Sequence, residues 1–315
     1  MLRWCLPIVL LAAGSPALAQ APADSVPQPV MVPGVLATPD DELNSAFSPD
    51  GKTLYFSKNL GDRIGVILVS RWAGGKWGTP EVAPFSGQYS DYDPFVTPDG
   101  SRLLWISNRP VGGTAKDDYD IWMVEKQGKG WGPPMHLPDP INTDAQEFYP
   151  TVSDSGTLYF SSSRPGGKGR GDIYRARRDS LGFGPPHSLG DSINSTLHDA
   201  DPYIAPDESF LIFTSYNRPD GLGDGDLYVS YHHGGAWSTA RPLQHGINGP
   251  AREYCPIVSP DGHWLYFTSF RGLLDTPPPS PITWRQLSSR LRTPLNGAGN
   301  VYRIPATALA EPAVP

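Results

Sequence analysis

Two residue types recur along this chain at a spacing that could do chemistry. Acids stand at Glu42, Asp91, Glu147, Asp199 and Glu253, and arginines at Arg109, Arg164, Arg218 and Arg271, with Leu60 where a fifth arginine would fall. Each acid lies three residues before Ser45, Pro94, Pro150, Pro202 or Pro256, so the series repeats with its surroundings. Two such carboxylates on one rim, about 5 to 9.5 Å apart, would suit glycoside cleavage by retaining or inverting chemistry. The same residues can instead pair, acid with arginine, and clip each loop, because charges at strand ends need partners. Presence in every unit favours the clip, since a catalytic site usually breaks the symmetry that a scaffold keeps. No acid is therefore assigned as catalytic, although Glu42, lacking its arginine, is expected to hold the freest carboxylate.

Other chemistry is weaker. Asp220, Asp224 and Asp226 lie on a Gly-flexed loop, and close carboxylates on such a loop suit Ca²⁺. The equivalent loop at 166–172 carries basic residues instead, so the expectation is a tight loop whose final Asp caps the next strand, with no cofactor. The seven histidines (His136, His187, His198, His232, His233, His245 and His263) lack metal-ligand spacing, and no Gly-x-Ser-x-Gly elbow is present to mount a serine nucleophile. Cys5 falls in the export signal described below, which leaves Cys255 without a disulfide partner and reads it as a small buried hydrophobe.

These residues must be positioned by a repeated element. The turns SPDG at 48, TPDG at 97, SDSG at 153, APDE at 205 and SPDG at 259 recur about every 49 to 56 residues. Each is followed by an alternating apolar run: TLYFSK, RLLWIS, TLYFSS, SFLIFTS and HWLYFTS. A further strand signal comes at Ile64–Val69, Asp120–Trp122, Asp172–Tyr174, Asp226–Tyr228 and Asn300–Tyr302, and an aromatic before a Pro-containing edge at Trp77, Trp131, Phe183 and Trp237. Four short strands per unit in tandem indicate an all-β propeller. The fifth unit stops after its third strand, whereas residues 30–42 resemble the outer segments that precede later units. The expectation is five four-stranded blades closed by the N-terminal strand, the alternative being six blades.

The units EFYP…TLYFSSSRPGGKGRGDIY, from Glu147, and DADP…FTSYNRPDG, from Asp199, resemble the WD40-like PD40 repeat. That repeat builds the propeller of the Tol system's periplasmic protein and of OmpA-like envelope proteins. The resemblance covers about residues 42–305 and implies a propeller fold and an envelope role in binding. It comes without the OmpA-like or hydrolase domain that relatives often append, so a propeller standing alone is expected.

Composition agrees. The 315 residues include 36 Pro and 34 Gly, too many turn-formers for long helices, while nine Trp, 14 Tyr and 11 Phe supply a core. A net charge of −7 without any Lys/Arg run argues against nucleic acid as partner. Residues 1–19 read as a cleaved secretory signal, giving a periplasmic or secreted protein with no transmembrane segment. Residues 20–29 form a Pro/Ala-rich tether, 30–308 the propeller, and 309–315 a flexible tail. One break in symmetry remains: residues 272–299 replace a short loop, carry Trp284, Arg285, Arg290 and Arg292, and hold a short helix at Ile282–Leu291. This insertion is expected above the acidic ring, either plugging the mouth or docking a partner, with its arginines available to the ring acids. The function expected is a monomeric, non-catalytic scaffold for an envelope protein or peptide, through the face built from the five acids, the four arginines, Trp284 and Arg285. The alternative is a propeller that binds or cleaves carbohydrate such as an oligosaccharide or peptidoglycan, with Trp284 as stacking platform.

Overall fold

The computed structural model describes residues 27–61, 64–114, 116–180, 182–272 and 278–311; the signal segment, most of the tether and residues 312–315 lie outside them. Five small antiparallel sheets follow one another, as the repeats require. Blade one uses Glu42–Phe47, Thr53–Asn59 and Gly65–Ala73, with Lys76–Trp77 and Glu81–Val82 at its outer edge. Blade two uses Asp91–Val96, Arg102–Ser107 and Asp120–Gln127, blade three Glu147–Val152, Leu158–Ser162 and Asp172–Ala176, and blade four His198–Ile204, Phe210–Tyr216 and Gly225–His233. Blade five is Glu253–Val258, Trp264–Ser269 and Asn300–Pro305, and its outer strand is Val30–Met31 from the other end of the chain. Val30 pairs with Arg303 and Met31 with Tyr302, so five blades close as the N-terminal segment predicted.

Alternation along the strands packs aromatic and aliphatic side chains between neighbouring sheets, with Trp105, Tyr159, Phe160, Phe213 and Phe267 almost wholly enclosed. The innermost strands all start on one face of the ring, here the upper face, and all end on the lower face at the Pro-Asp-type turns. In the Ser48 turn the hydroxyl accepts from Thr53 N at 2.8 Å and donates to Asp50 at 2.6 Å, while Gly51 takes a left-handed φ of 66°. Blade four places Glu208 at that position with φ 59°, which a side chain enters only at a conformational cost. Its carboxylate repays the strain by reaching into blade three, where Ser153 and Ser155 donate at 2.7 Å and Tyr159 at 3.1 Å.

Each innermost strand also carries one bulge at the same place. Ladder pairing shifts between Leu43 and Ser45, Tyr92 and Phe95, Phe148 and Thr151, Ala200 and Tyr203, and Tyr254 and Ile257. The residue at the bulge is left-handed in all five: Asn44, Asp93, Tyr149, Asp201 and Cys255, with φ between 45° and 55°. Proline follows in four of them, where a missing N–H costs nothing because the ladder has no acceptor for it.

Candidate functional site

The ring acids sit at the first residue of each innermost strand, or one after it in blade four, and none is accessible: Glu42, Asp91, Glu147, Asp199 and Glu253 are fully buried. Arginines meet four of them, Arg109 with Asp91 at 2.9 Å, Arg164 with Glu147 at 3.3 Å, Arg218 with Asp199 at 2.7 Å and Arg271 with Glu253 at 3.0 Å. A serine of the second strand adds a hydroxyl in three, such as Ser269 to Glu253 at 2.7 Å, and backbone N–H groups of the preceding connector add another, such as Gly249 at 2.8 Å. The guanidinium groups also donate to connector carbonyls, Arg109 to Phe85 at 2.8 Å, Arg164 to Ile141 and Arg271 to Ile247 at 2.6 Å, and lie over their own blade's rings, as Arg164 does over Phe160 and Tyr174. Burial pushes the Glu147 and Glu253 carboxyls above their ordinary value, and these donors pull the other way. The arrangement is a repeated clip between each blade and the connector entering it.

Glu42 departs from expectation. Leu60 does replace the arginine, but Lys58 occupies the ladder position opposite Glu42, where the other blades have serine, and its ammonium lies 3.2 Å from the carboxylate. Thr38 adds its backbone N–H at 2.8 Å and its hydroxyl. The carboxylate is as fully engaged as the others because one lysine supplies both the charge of the arginine and the place of the serine.

A second column escaped sequence reasoning. Asn142, Asn194 and Asn248 each bracket the third strand of the preceding blade, accepting from the N–H of Ile121, Ile173 or Leu227 at 2.8 Å and donating to the same residue's carbonyl at 2.9 to 3.0 Å. Its signal was present as the Ile-Asn dipeptide in each connector.

Inside the ring, the five bulge residues converge on the axis. Asn44 Nδ2 donates to Asp93 at 2.6 Å, Tyr149 N donates to the other Asp93 oxygen at 3.1 Å, and Thr214 donates to Asp201 at 2.9 Å. The Tyr149 ring spans from blade three to blade five, where its hydroxyl donates to Pro256 O at 2.8 Å. Asp93 lies among these converging side chains and is partly accessible. Burial, aided by the nearby Asp201, pushes Asp93 up to about 7, and burial pushes Asp201 up to about 6. Burial also raises the Cys255 thiol, which agrees with its reading as an unreactive interior group.

The remaining candidates separate. Asp220 accepts from Tyr228 at 2.7 Å, Asp224 pairs with Arg252 at 2.5 Å, and Asp226 accepts from Leu222 and Gly223 N–H at 2.9 and 3.0 Å, so the three carboxylates serve three different partners. Among the described residues no cluster of three metal-ligating side chains occurs. In the insertion, a helix runs over Trp284–Arg290, capped reciprocally by Thr283 and Gln286, and buries none of its residues; Trp284 is 75% exposed. Its C-terminal limb leans on blade one, through Asn296 to Pro39 O and Gly299 to Asp41, both at 2.7 Å. Among the described residues no ion pair links Arg285, Arg290 or Arg292 to the ring acids, whose own blades already satisfy them.

A concavity lies on the face opposite the ring acids. A cavity of about 710 Å³ opens at the lower end of the axis, where all five innermost strands end. Phe47, Phe95, Val152, Tyr203 and Ile257 form its wall, one from each blade, with Leu309 of the C-terminal 3₁₀ turn Ala306–Leu309. The turn is fastened by Tyr231, whose hydroxyl donates to Leu309 O at 2.6 Å.

No protein-family model and no curated protein matches this chain. Among solved structures, an alpha-L-arabinofuranosidase from Lactobacillus brevis superposes with a TM-score of 0.53 at 14% identity, over 86% of this chain and 92% of that one. A protein from Agrobacterium tumefaciens described as a TolB gives 0.49 at 20% identity over 74% and 71% of the two chains. TolB from Acinetobacter baumannii gives 0.46 at 15% over 84% of this chain and 54% of that one, so this chain spans about half of its length. At such identities the likeness is one of fold. No helix among the described residues is long and apolar enough to cross a membrane.

Proposed function

We propose that this β-propeller is an exported, non-catalytic binding protein of the cell envelope whose partner is a protein or peptide, held at the lower mouth of the ring. The observation that carries the reading is the contrast between the two faces. On the upper face every ring carboxylate is fully buried and already holds a cation and hydrogen-bond donors, so none is available as acid, base or nucleophile. On the lower face a cavity of about 710 Å³, walled by one apolar side chain from each blade, sits within the usual size of ligand clefts, roughly 300–1,000 Å³. Carbohydrate cleavage has less support, because a substrate would have to displace the paired cation and hydrogen-bond donors of each buried carboxylate it used.

The test is crosslinking of mature protein in native envelopes beside two variants: one lacking residues 278–296 and one with the lower cavity filled by Phe210→Trp. Recovery of a specific protein that survives the deletion and is lost on filling supports the lower face. Loss on deletion alone returns the function to the insertion, and sugar release by any form would overturn the non-catalytic reading.

A further inference from the structure

The lower mouth has a charge pattern that selects among occupants. The turns joining the first and second strands place one exposed aspartate per blade around it: Asp50, Asp99, Asp154, Asp207 and Asp261. Hydroxyls of the same turns donate to four of these carboxylates at 2.6 to 2.7 Å: Ser48 to Asp50, Thr97 and Ser101 to Asp99, Ser209 to Asp207 and Ser259 to Asp261. The Ser48, Ser209 and Ser259 bonds hold Asp50, Asp207 and Asp261 below the usual carboxylate range. At Asp99 slight burial opposes the effect, and the Thr97 and Ser101 bonds outweigh it to bring the group to about 2. These carboxylates are therefore ionised throughout the physiological range.

Of the residues lining the cavity only Asp154 and Asp207 carry charge; no lysine, arginine or histidine does. Of the cations on the same turns, Arg102 is directed to Glu125 at 3.3 Å, while Lys52 acts on Asp50 and His263 lies 3.3 Å from Asp261. Arg177, Arg178 and His232 line a separate hollow on the outer side of Asp154 and Asp207. A well whose own lining carries charge of one sign only, Asp154 and Asp207, concentrates field lines at its opening, which favours ligands of the opposite sign.

We propose that the lower mouth takes a basic, apolar segment of a partner protein, with aliphatic or aromatic side chains inside the well and lysine or arginine against the aspartate rim. This rests on the binding function argued above and adds the class of ligand. A second copy of the chain is disfavoured by the same rim, since it would bring like charges together.

Four labelled short peptides test it by fluorescence anisotropy on the full mature chain: alternating Lys and Leu/Phe, the same with Ser for Lys, the same with Glu for Lys, and the first with Ser for Leu/Phe. The expected result is that the basic apolar peptide binds about tenfold or more tighter than its neutral twin, and that the margin shrinks at high salt. The quadruple change Asp50→Asn, Asp99→Asn, Asp207→Asn and Asp261→Asn should abolish the margin; if that variant does not fold, the peptide series and salt dependence on the unaltered chain decide. Equal binding of the basic and neutral twins overturns the charge inference and leaves the lower-mouth function standing. Equal binding of the basic apolar and basic polar peptides reduces the effect to general attraction and also overturns it. Binding by none of the four, or concentration-dependent dimers that close the mouth, would remove the lower-mouth function itself.

Discussion

The hydroxyl of Tyr149 donates 2.8 Å to the carbonyl of Pro256, tying blade three to blade five across the axis of the ring. The two blades are not neighbours, so this bond and the ring that carries it brace the interior directly. Tyr149 holds a left-handed φ of 50° to make it, a conformation that tyrosine enters only at a cost. Tyr149→Phe keeps the ring and leaves a buried carbonyl unpaired, which should lower stability by about 1–3 kcal/mol in urea unfolding. An unchanged midpoint would mean that the crossing bond carries no net stability.

The Asp93 and Asp201 carboxyls make stability fall as pH rises. Both are raised above the ordinary aspartate value, so the folded state holds their protons more tightly than the unfolded chain does. Their contribution is complete below about pH 4 and is lost as pH climbs through about 6 to 7. Asp93→Asn should therefore raise the melting temperature at pH 8, by roughly 2–6 °C, and the gain should vanish towards pH 5. A gain equal at both pH values would refute the electrostatic cause.

Lys58→Met offers the sharpest test of the clip. It leaves the fully buried Glu42 without its cation and should destabilise by about 3–5 kcal/mol, as should Arg271→Met at Glu253. Denaturation midpoints give the comparison. A neutral Lys58→Met would mean that Glu42 is the free carboxylate that a reading of Leu60 alone suggests.

At Glu208, strain and contact can be separated. Glu208→Gly relieves the left-handed backbone but gives up the bonds to Ser153, Ser155 and Tyr159, whereas Glu208→Ala gives up the same bonds and keeps the strained backbone. Alanine should be the more destabilising of the two by about 1 kcal/mol. If alanine and glycine are equal, the backbone at this turn has relaxed and stores nothing.

The sequence by itself determined the blades. Every blade must solve the same turn, ladder and connector problem, so the Pro-Asp turns, the alternating strands and the acid and arginine columns repeat in register, and the unpaired strand at residues 30–42 predicts how the ring closes. Local rules carry that information because turn chemistry and strand alternation act within a few residues.

Only the tertiary structure decided what the columns do. That Lys58 serves Glu42 depends on which residues face each other across the ladder. The axial group is Asn, Asp, Tyr, Asp and Cys at one bulge position, five residues of four kinds that form no pattern along the chain and meet only where the blades converge. The open face was likewise beyond sequence reasoning, because it depends on the upper charges neutralising one another in burial while the lower strand ends and the Leu309 turn leave a well between them. Burial and convergence are properties of the closed ring, and residues about fifty positions apart become neighbours only when it closes.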